Sequence, residues 1–504
     1  MQIEVKQGAV ELAEDEAVVL NCFEEAKRFA GSLKAIDDKL SGALSHVYQA
    51  GDFKAKLGQI GVLYPQGRLN FKRIIMAGLG KKGDLTVEKI RLAYGFAGRK
   101  LRELKLKSVS VQTFEANHPA VKLQQSSQAM VEGILLSNYR LGQYKTGDEN
   151  DKSTLERLTF WKEKRKGIGE VNRGVKNGEI FSWATNFSRD LANRPSNYLT
   201  PTDLADEANK LAQEGKFKCT VLPASEIKKL KMNSFLAVAA GSKEPAKLIV
   251  LEYTSPQRSI NTLALVGKGI TFDAGGLSLK STENMLEMKG DMMGGAVVLS
   301  TVAGCAKLKL PLRVIGVIPA TENLPSGSAL KVGDVITSHS GKTIEVLNTD
   351  AEGRLILADA LSYARSFSPH AIVDIATLTS SIKIALGTIC AGIFGNNQAL
   401  KARMIRAAEL SGERVWEMPL WEEYQEFLKS DLADIKNVGG RPGGSILAAK
   451  FLETFAGDLP WIHVDIAGVD FKEKEDSYHS KGASGFGARL LLQFLKDWKR
   501  IQSG

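Results

Sequence analysis

Short apolar runs and amphipathic stretches alternate along the first third of the chain. Ala17–Cys22, Arg73–Leu79 and Ser108–Phe114 are apolar runs of the length that is typical of buried strands. Thr86–Leu106 and Val121–Tyr144 instead carry their apolar residues at helical spacing. This alternation predicts a compact α/β unit that ends near residue 165.

A change of pattern marks the end of that unit. The charged stretch 162–167 is followed by a helical pattern from about Glu170 to Asn193. Pro195 and Pro201 close the pattern, because proline cannot continue a helix. We therefore predict an N-terminal α/β domain over residues 1–165, a connecting helix over 166–199 and a larger domain over 200–504.

The alternation restarts after residue 200. Strands are expected at Lys247–Tyr253, Thr262–Val266, Leu312–Pro319, Ile344–Leu347, Ala371–Ala376 and Trp461–Ala467, with helices at Gly294–Leu308, Leu355–Phe367 and Gly485–Trp498. Continuous apolar strands separated by helices predict a mixed, mostly parallel sheet that is flanked by helices. The fold class is α/β, and ligands are expected beyond the carboxyl ends of the strands.

Composition and charge narrow the class of protein. The chain has 504 residues, 43% hydrophobic and 25% charged, which is typical of a soluble globular protein with more than one domain. Its net charge of +10 is most simply spread over solvated helix faces. Four widely spaced cysteines without a CxxC pair indicate a reducing compartment. No signal peptide or apolar run of membrane-spanning length is evident, so we expect a cytoplasmic protein without a membrane partner.

The chemistry of the chain is most concentrated in the octapeptide 348–355, Asn-Thr-Asp-Ala-Glu-Gly-Arg-Leu. On an extended backbone Asp350 and Glu352 would project to the same side, directly after the apolar run that ends at Leu347. Two neighbouring carboxylates raise each other's pKa unless a cation lies between them. The segment is therefore a candidate metal site.

Two further polar groups follow apolar runs. Residues 266–280 place Lys268, Asp273 and Lys280 among glycines, and Asp291 stands where a helix is expected to begin. Such oxygen-rich ligation suits hard or borderline divalent ions without distinguishing zinc, manganese and magnesium. The number of carboxylates is sufficient for two ions and for two-metal hydrolysis. Taken singly, an Asp at a helix start is more often an N-cap, and a glycine-rich loop with Lys is more often a turn.

In combination these segments resemble the leucyl aminopeptidase family, the M17 zinc aminopeptidases. Residues 348–355 match the family signature throughout. Val266–Lys280, Met288–Gly295, Pro319–Gly333, His463–Gly468 and Gly485–Gly487 are similar to its other blocks. The resemblance covers residues 190–495 and is weaker over residues 1–165.

The resemblance implies an aminopeptidase with two divalent ions, zinc or manganese, in each subunit. Asp273 and Glu352 would bridge the ions. Asp350 would complete one site, and Lys268 and Asp291 would complete the other. A neighbouring dication would lower the pKa of Lys268 enough for its amine to act as a ligand.

The resemblance also implies the catalytic groups and the substrate. A metal-bridging hydroxide would attack the scissile carbonyl, while Lys280 stabilises the developing oxyanion. Arg354 would hold a bicarbonate ion that transfers the proton. One ion would bind the free α-amine, so the substrates would be peptides with a free N-terminus. Family members assemble as homohexamers, and we expect the same here.

The substrate pocket departs from the family pattern at one position. The resemblance places Met288, Asn348, Thr377 and Ser380 around the first side chain of the substrate. Relatives usually have glycine where this chain has Ser380, and a serine would narrow or polarise the pocket. The chemistry is expected to be unchanged, with leucine or a broader set of N-terminal residues removed.

Two rival functions have some support in the sequence. Gly78-Leu79-Gly80-Lys81-Lys82-Gly83 has the spacing of a dinucleotide-binding motif, but the next acidic residue at a strand end, Glu115, lies 32 positions after Gly83. Because the motif requires an acid about 20 residues on, a tight turn is the better interpretation. An additional DNA-binding role, as in some bacterial relatives, would use the basic clusters 99–102 and 162–166, although no aromatic residues are interleaved with them.

Overall fold

The computed structural model describes residues 1–25, 29–114, 121–142, 144, 146, 155–257 and 261–498. The chain forms two compact units. The first comprises Met1–Trp183 together with Glu473–Lys481, and the second comprises Ala184–Lys472 and the chain from Gly482 onward.

The first unit is built around a six-stranded sheet. Its strands are β1 (Gln2–Gln7), β2 (Ala17–Cys22), β3 (Ile60–Leu63), β4 (Arg73–Gly78), β5 (Ser108–Gln112) and β6 (Arg157–Lys162). Its helices are α1 (Gly31–Lys39), α2 (Ala43–Gln49), α3 (Val87–Glu103), α4 (Leu123–Ser137) and the start of α5 (Ile168–Asn193). The strand order is β1-β6-β5-β2-β4-β3, and every pairing except β3 with β4 is parallel.

Apolar residues cover both faces of this sheet, which is why its central strands read as continuous apolar runs. One core contains Val19, Ala93 and Ile134 and joins the sheet to α3 and α4. The other contains Val18 and Ile36 and joins it to α1 and α2. The predicted helix Val121–Tyr144 is shorter than expected and ends at Ser137.

The glycines after β4 form a tight turn. A Cβ on Gly78 would lie 2.2 Å from the Lys56 carbonyl oxygen, and Gly80 has a φ of +75°. Both positions therefore need glycine for backbone reasons alone. Glu115, the acid considered for a dinucleotide motif, lies outside the described residues.

A late segment of the chain completes the first unit. Residues 473–481 pack on α3, where the Ser477 hydroxyl donates a hydrogen bond to the Leu92 carbonyl at 2.8 Å. The Tyr478 hydroxyl donates to Glu88 at 2.8 Å, and the Tyr478 ring is fully buried. A Cβ on Gly95 would lie 2.3 Å from Ser477 Oγ, so the helix surface fits this segment closely.

The second unit contains fourteen strands and ten complete helices among the described residues. The strands are β7 (Lys218–Pro223), β8 (Lys247–Thr254), β9 (Thr262–Gly267), β10 (Gly269–Asp273), β11 (Arg313–Asn323), β12 (Val335–Thr337), β13 (Thr343–Glu345), β14 (Ala371–Ala376), β15 (Ala391–Gly395), β16 (Val415–Glu417), β17 (Ile435–Lys436), β18 (Trp461–Asp465), β19 (Phe471–Lys472) and β20 (Gly482–Ala483). The helices are α6 (Pro201–Gly215), α7 (Ala224–Lys229), α8 (Asn233–Ala239), α9 (Thr282–Met285), α10 (Met293–Leu308), α11 (Glu352–Ala364), α12 (Ser380–Leu386), α13 (Gln398–Ser411), α14 (Gly444–Ala456) and α15 (Ala488–Lys496).

Nine of these strands form one mixed sheet. Its order is β16-β15-β18-β14-β9-β11-β8-β7, with β10 also paired to β11. The three central pairs, β18 with β14, β14 with β9 and β9 with β11, are parallel. At one edge, β8 pairs antiparallel with β11 and β7 pairs antiparallel with β8. The predicted α/β class with a mixed, mostly parallel sheet is confirmed.

Side chains on β11 show how helices cover this sheet. Ile315 and Val317 belong to the core that contains α11 and α14. A Cβ on Gly316 would instead lie 3.1 Å from Val298 and Val302 of α10. Because successive strand residues point to opposite faces, α10 and α11 cover opposite faces of the sheet.

The predicted strand Ile344–Leu347 differs from the structure in extent and in partner. The observed strand, β13, spans Thr343–Glu345 and pairs with β12 and β17 in a separate three-stranded sheet. The signature octapeptide is not extended either, because Glu352 begins α11.

One described stretch, Thr282–Leu308, has the length and hydropathy of a membrane span. However, 83% of its most apolar window is buried inside the protein, as in the core helix of a soluble domain.

Candidate active site

The predicted site residues come from four segments of the second unit. Lys268 lies between β9 and β10, and Asp273 is the last residue of β10. Asp291 precedes α10, and Glu352 is the first residue of α11. All four side chains are buried, with at most 5% of each residue exposed.

Lys268 joins two of these segments through its ammonium group. Its Nζ lies 2.8 Å from Asp291 Oδ1 and 2.8 Å from Glu352 Oε1, and it donates to the Thr377 carbonyl at 3.1 Å. The Thr377 hydroxyl also donates to Asp291 Oδ1 at 2.7 Å. Glu352 Oε1 and Asp291 Oδ2 have no aligned hydrogen-bond donor among the described residues, although each faces this ammonium group.

Lys280 makes the equivalent connection on the other side of the cluster. Its Nζ lies 2.8 Å from Asp273 Oδ2 and is also ion-paired with Asp350. Asp273 Oδ1 accepts hydrogen bonds from the Gly275 amide at 2.8 Å and from Asn323 at 2.9 Å, which fix the carboxylate.

The glycine-rich loop and the signature loop are joined through Thr349. Its hydroxyl donates to the Gly275 carbonyl and accepts from the Ser278 amide, both at 2.8 Å. The side-chain amide of Asn323 donates to the Thr349 carbonyl at 3.1 Å and also donates to Asp273 Oδ1. The two loops are therefore positioned as one structure. Asn323 lies in the block Pro319–Gly333, but the sequence alone assigned it no role.

Three carboxylates are arranged as a metal site would require. Asp273, Asp350 and Glu352 each offer an oxygen atom that lies within 4.8 Å of the other two. Asp291 is linked to this group through Lys268. Four carboxylates thus surround two lysines, and the excess negative charge in a buried site fits bound divalent cations.

The electrostatics of the site reflect this crowding. Burial raises the pKa of Asp291 and of Glu352, and the nearby carboxylate of Asp273 raises both further. Burial alone would lower the pKa of Lys268 and of Lys280, but the surrounding carboxylates outweigh it and raise both. Each lysine is accordingly charged in the metal-free protein.

Arg354 lies on the first turn of α11, next to this cluster. Its Nη1 donates to the Asn437 carbonyl at 2.7 Å, whereas its Nε has no partner among the described residues. Burial lowers the pKa of Arg354 to about 10, so it stays charged at neutral pH. Asn437 also donates to the Asn348 carbonyl and accepts from the Leu347 amide, at 2.7 and 2.8 Å.

The cluster opens into a cavity of about 700 Å³. The four predicted pocket residues line it together with all seven predicted metal and catalytic residues: Met288, Asn348, Thr377, Ser380, Lys268, Asp273, Lys280, Asp291, Asp350, Glu352 and Arg354. No histidine lies among the described residues that line it. His463 is instead buried in β18, where its Nδ1 lies 2.5 Å from Asp374.

Asp470 is a cavity residue that the sequence analysis missed. It lines the same cavity as Met288 and Ser380. Burial, together with the nearby carboxylate of Glu287, raises the pKa of Asp470 to about 7, and Lys383 opposes the shift. Its position five residues after the conspicuous Asp465 carries no motif, so only the fold reveals it.

Known proteins resemble the chain over nearly its whole length. Residues 186–492 match the catalytic domain of the cytosol aminopeptidase family, and residues 19–148 match the N-terminal domain of that family. A protein of Geotalea uraniireducens (strain Rf4) named "Probable cytosol aminopeptidase" is 43% identical over 92% of this chain and 93% of its own. A protein of the same name from Nitrosococcus oceani is 40% identical over 98% of both chains.

Solved structures give the same result. A mutant of tomato leucine aminopeptidase superposes with a TM-score of 0.88 at 32% identity, covering 98% of this chain and 96% of its own. The bottromycin maturation enzyme BotP in complex with Mn has a TM-score of 0.84 at 31% identity, covering 96% and 99%. The chain therefore belongs to the cytosol aminopeptidase family and is a metalloaminopeptidase.

Proposed function

We propose that this protein binds two divalent ions and removes the N-terminal residue from peptides. The observation that carries the proposal is the convergence of Asp273, Asp350 and Glu352 on one point, with Asp291 held beside them by Lys268. Asp273 and Glu352 would bridge the ions, Asp350 would complete one site, and Lys268 and Asp291 the other. Manganese or zinc suits these donors, and BotP is named as a manganese complex.

Bound divalent ions would supply a water nucleophile of lowered pKa and would polarise the scissile carbonyl. The residues of the chain provide the rest of the chemistry. Lys268 now pairs with Asp291 and Glu352, and it must give up its proton to become a ligand. Two dications beside it would reverse the effect of the carboxylates on its pKa.

Lys280 is proposed to stabilise the carbonyl oxygen as that atom gains charge. The carboxylates of Asp273 and Asp350 hold its ammonium group at the edge of the cavity, and they keep it protonated. A fixed cation stabilises an oxyanion without reorganising during the reaction.

Arg354 is proposed to hold a bicarbonate ion that moves the proton from the nucleophile to the leaving amine. One N–H of its guanidinium is bonded to the Asn437 carbonyl, which fixes the plane of the group. A planar donor fork is suited to a planar, bidentate anion. This assignment also provides a proton carrier in a cavity that has no histidine among its described lining residues.

The substrates are proposed to be peptides with a free N-terminus and varied first residues. The cavity has room for side chains of several sizes, and Met288, Asn348, Thr377 and Ser380 line it. The name of the relatives supports a cytoplasmic location, and we infer a homohexamer from the family resemblance alone. DNA binding has weaker support, since Arg99 and Arg102 of one basic cluster both pair with Glu475, at 3.3 and 2.7 Å.

Metal analysis combined with peptide assays tests the proposal. We expect about two ions per chain by mass spectrometry of the purified protein, hydrolysis of leucyl amide, and no hydrolysis of its N-acetylated form. Glu352→Gln should lose metal and activity together. Glu453→Gln, a change of the same kind elsewhere in the second unit, should lose neither. Full activity after exhaustive chelation, or with a single ion, would contradict the two-metal assignment.

A further inference from the structure

The sheet of the first unit has a topological switch point between two neighbouring strands. β2 and β5 are parallel and adjacent. From β2 the chain enters α1, which packs in the core on one face, and from β5 it reaches α4, which packs in the core on the other. Where connections diverge in this way, a crevice opens beyond the carboxyl ends of the strands, and ligands of such sheets bind there.

A cavity of about 620 Å³ lies at this point. Residues 21–23, at the end of β2, and residues 112–114, at the end of β5, line it. Trp161 of β6 and residues 29–33, which lead into the first turn of α1, also line it. The cavity is within the size range of small-molecule sites.

Five aromatic side chains line the cavity. Phe23 and Phe114 form one pair, with ring centroids 5.4 Å apart. Phe29 and Tyr48 form another, 5.2 Å apart and edge to face. With the indole of Trp161, these rings suit a flat aromatic ligand rather than an extended aliphatic one.

One polar atom of a lining residue lacks a partner. Gln112 Oε1 is buried and has no hydrogen-bond partner among the described residues, whereas the Tyr48 hydroxyl interacts with the Cys22 thiol. Asn21, by contrast, donates to the Gln112 carbonyl at 2.9 Å and accepts from Tyr94 at 2.6 Å. Buried polar atoms without partners require an explanation, and an acceptor such as Gln112 Oε1 calls for an N–H donor.

We propose that this cavity binds the base of a purine nucleoside or nucleotide. The aromatic walls would stack on the ring, and the amino edge of the base would supply the donor that Gln112 lacks. Side chains of both signs, Lys82, Lys164, Glu25 and Glu163, line the cavity, so its charge does not restrict the ligand to one sign. The glycine turn after β4 contributes only Lys82 to the lining.

Calorimetric titration of the full-length protein with adenosine and with AMP tests the proposal. We expect saturable binding at one site per chain. Phe29→Ala should weaken it at least tenfold, since stacking on an aromatic side chain has about that effect on bases. Gln112→Leu should weaken it about fivefold, the effect of one hydrogen bond. Tyr64→Ala removes an exposed ring that does not line the cavity, and should bind like the wild type.

Comparison of adenosine with AMP shows whether the site recognises the nucleoside alone or also its phosphate. Equal affinities would support a site for the nucleoside, and tighter AMP binding would support a site that also contacts the phosphate. Absence of saturable binding for both probes at about 1 mM would overturn the proposal. Unchanged binding by both Phe29→Ala and Gln112→Leu, with native circular dichroism, would overturn it as well. So would binding of L-tryptophan without binding of adenosine.

Discussion

Gly353 lies directly against the Lys268 side chain. A Cβ on Gly353 would lie 2.7 Å from Lys268 Cε and 2.9 Å from its Nζ. The glycine of the signature thus leaves space for the lysine that joins Asp291 to Glu352. We expect Gly353→Ala to displace the lysine, to reduce metal content and to lower kcat/KM at least tenfold, about 1.4 kcal/mol.

Gly327→Ala is the matched control, since a Cβ there would meet nothing within 4 Å. It should keep metal content and kcat/KM within about twofold of the wild type. Normal metal content and rate in Gly353→Ala would show that Lys268 does not need its observed position.

Arg354→Ala should separate the proton carrier from the metal site. The guanidinium bonds to the Asn437 carbonyl and to no carboxylate of the cluster in the described structure, so its loss should leave the metal ligands in place. We expect kcat to fall by about a hundredfold or more, as for removal of a general acid–base group, with metal content unchanged. An empty metal site in this variant would contradict the role assigned to Arg354.

Asp470 should make the preference for the first residue depend on pH. Because its pKa is raised to about 7, the carboxyl is largely neutral at pH 6 and charged at pH 8.5. The ratio of kcat/KM for lysyl amide to that for leucyl amide should therefore rise severalfold between these values. Both substrates carry an α-amino group, so the titration of that group cancels in the ratio.

Asp470→Asn should make that ratio independent of pH, whereas Asp458→Asn, outside the cavity, should leave the rise intact. A rise that persists in Asp470→Asn would assign the effect to another group.

Asp359 should make stability fall as pH rises. It accepts hydrogen bonds from the amides of Phe235 and His339 at 2.9 and 2.7 Å, and burial raises its pKa from 3.8 to about 7. The folded protein therefore binds a proton that the unfolded chain releases between about pH 4 and 7. The resulting stabilisation is present at low pH and is lost as pH rises through about 7.

Thermal unfolding at pH 5 and pH 8 measures this effect. The unfolding midpoint of Asp359→Asn minus that of the wild type should be larger at pH 8 than at pH 5. For the exposed control Asp52→Asn the difference from the wild type should stay constant. If the midpoint difference between Asp359→Asn and the wild type stayed constant with pH, the Asp359 carboxyl would titrate alike in the folded and unfolded states.

Much of the fold was predictable because buried parallel strands are continuous apolar runs. Ala17–Cys22 and Ala371–Ala376 were predicted with their observed bounds. The run at 344–347 does contain a strand, but it ends at Glu345 and pairs outside the main sheet, because periodicity does not specify a strand's partner. β11 continues past Pro319 to Asn323, beyond the predicted end. Proline is tolerated there because β9 pairs only as far as Val317 and β10 begins pairing at Ala320.

The site was predictable to the extent that its chemistry is local in sequence. Acids, lysines and glycines in short motifs indicated the metal cluster, and the fold brings these residues to one cavity. The roles of Asn323, Asn437 and Asp470 were missed because each depends on residues distant in sequence. An isolated Asn or Asp gives no signal until the chain has folded around it.

The segment 473–481 makes the first unit discontinuous in sequence. The chain passes between the units three times, so no single cut yields both of them whole. A fragment that stops at residue 183 would lose the side chains that cover Gly95 and bond to Glu88 and Leu92. The first unit therefore gains its last segment only after most of the chain has been synthesised, which links its completion to that of the second.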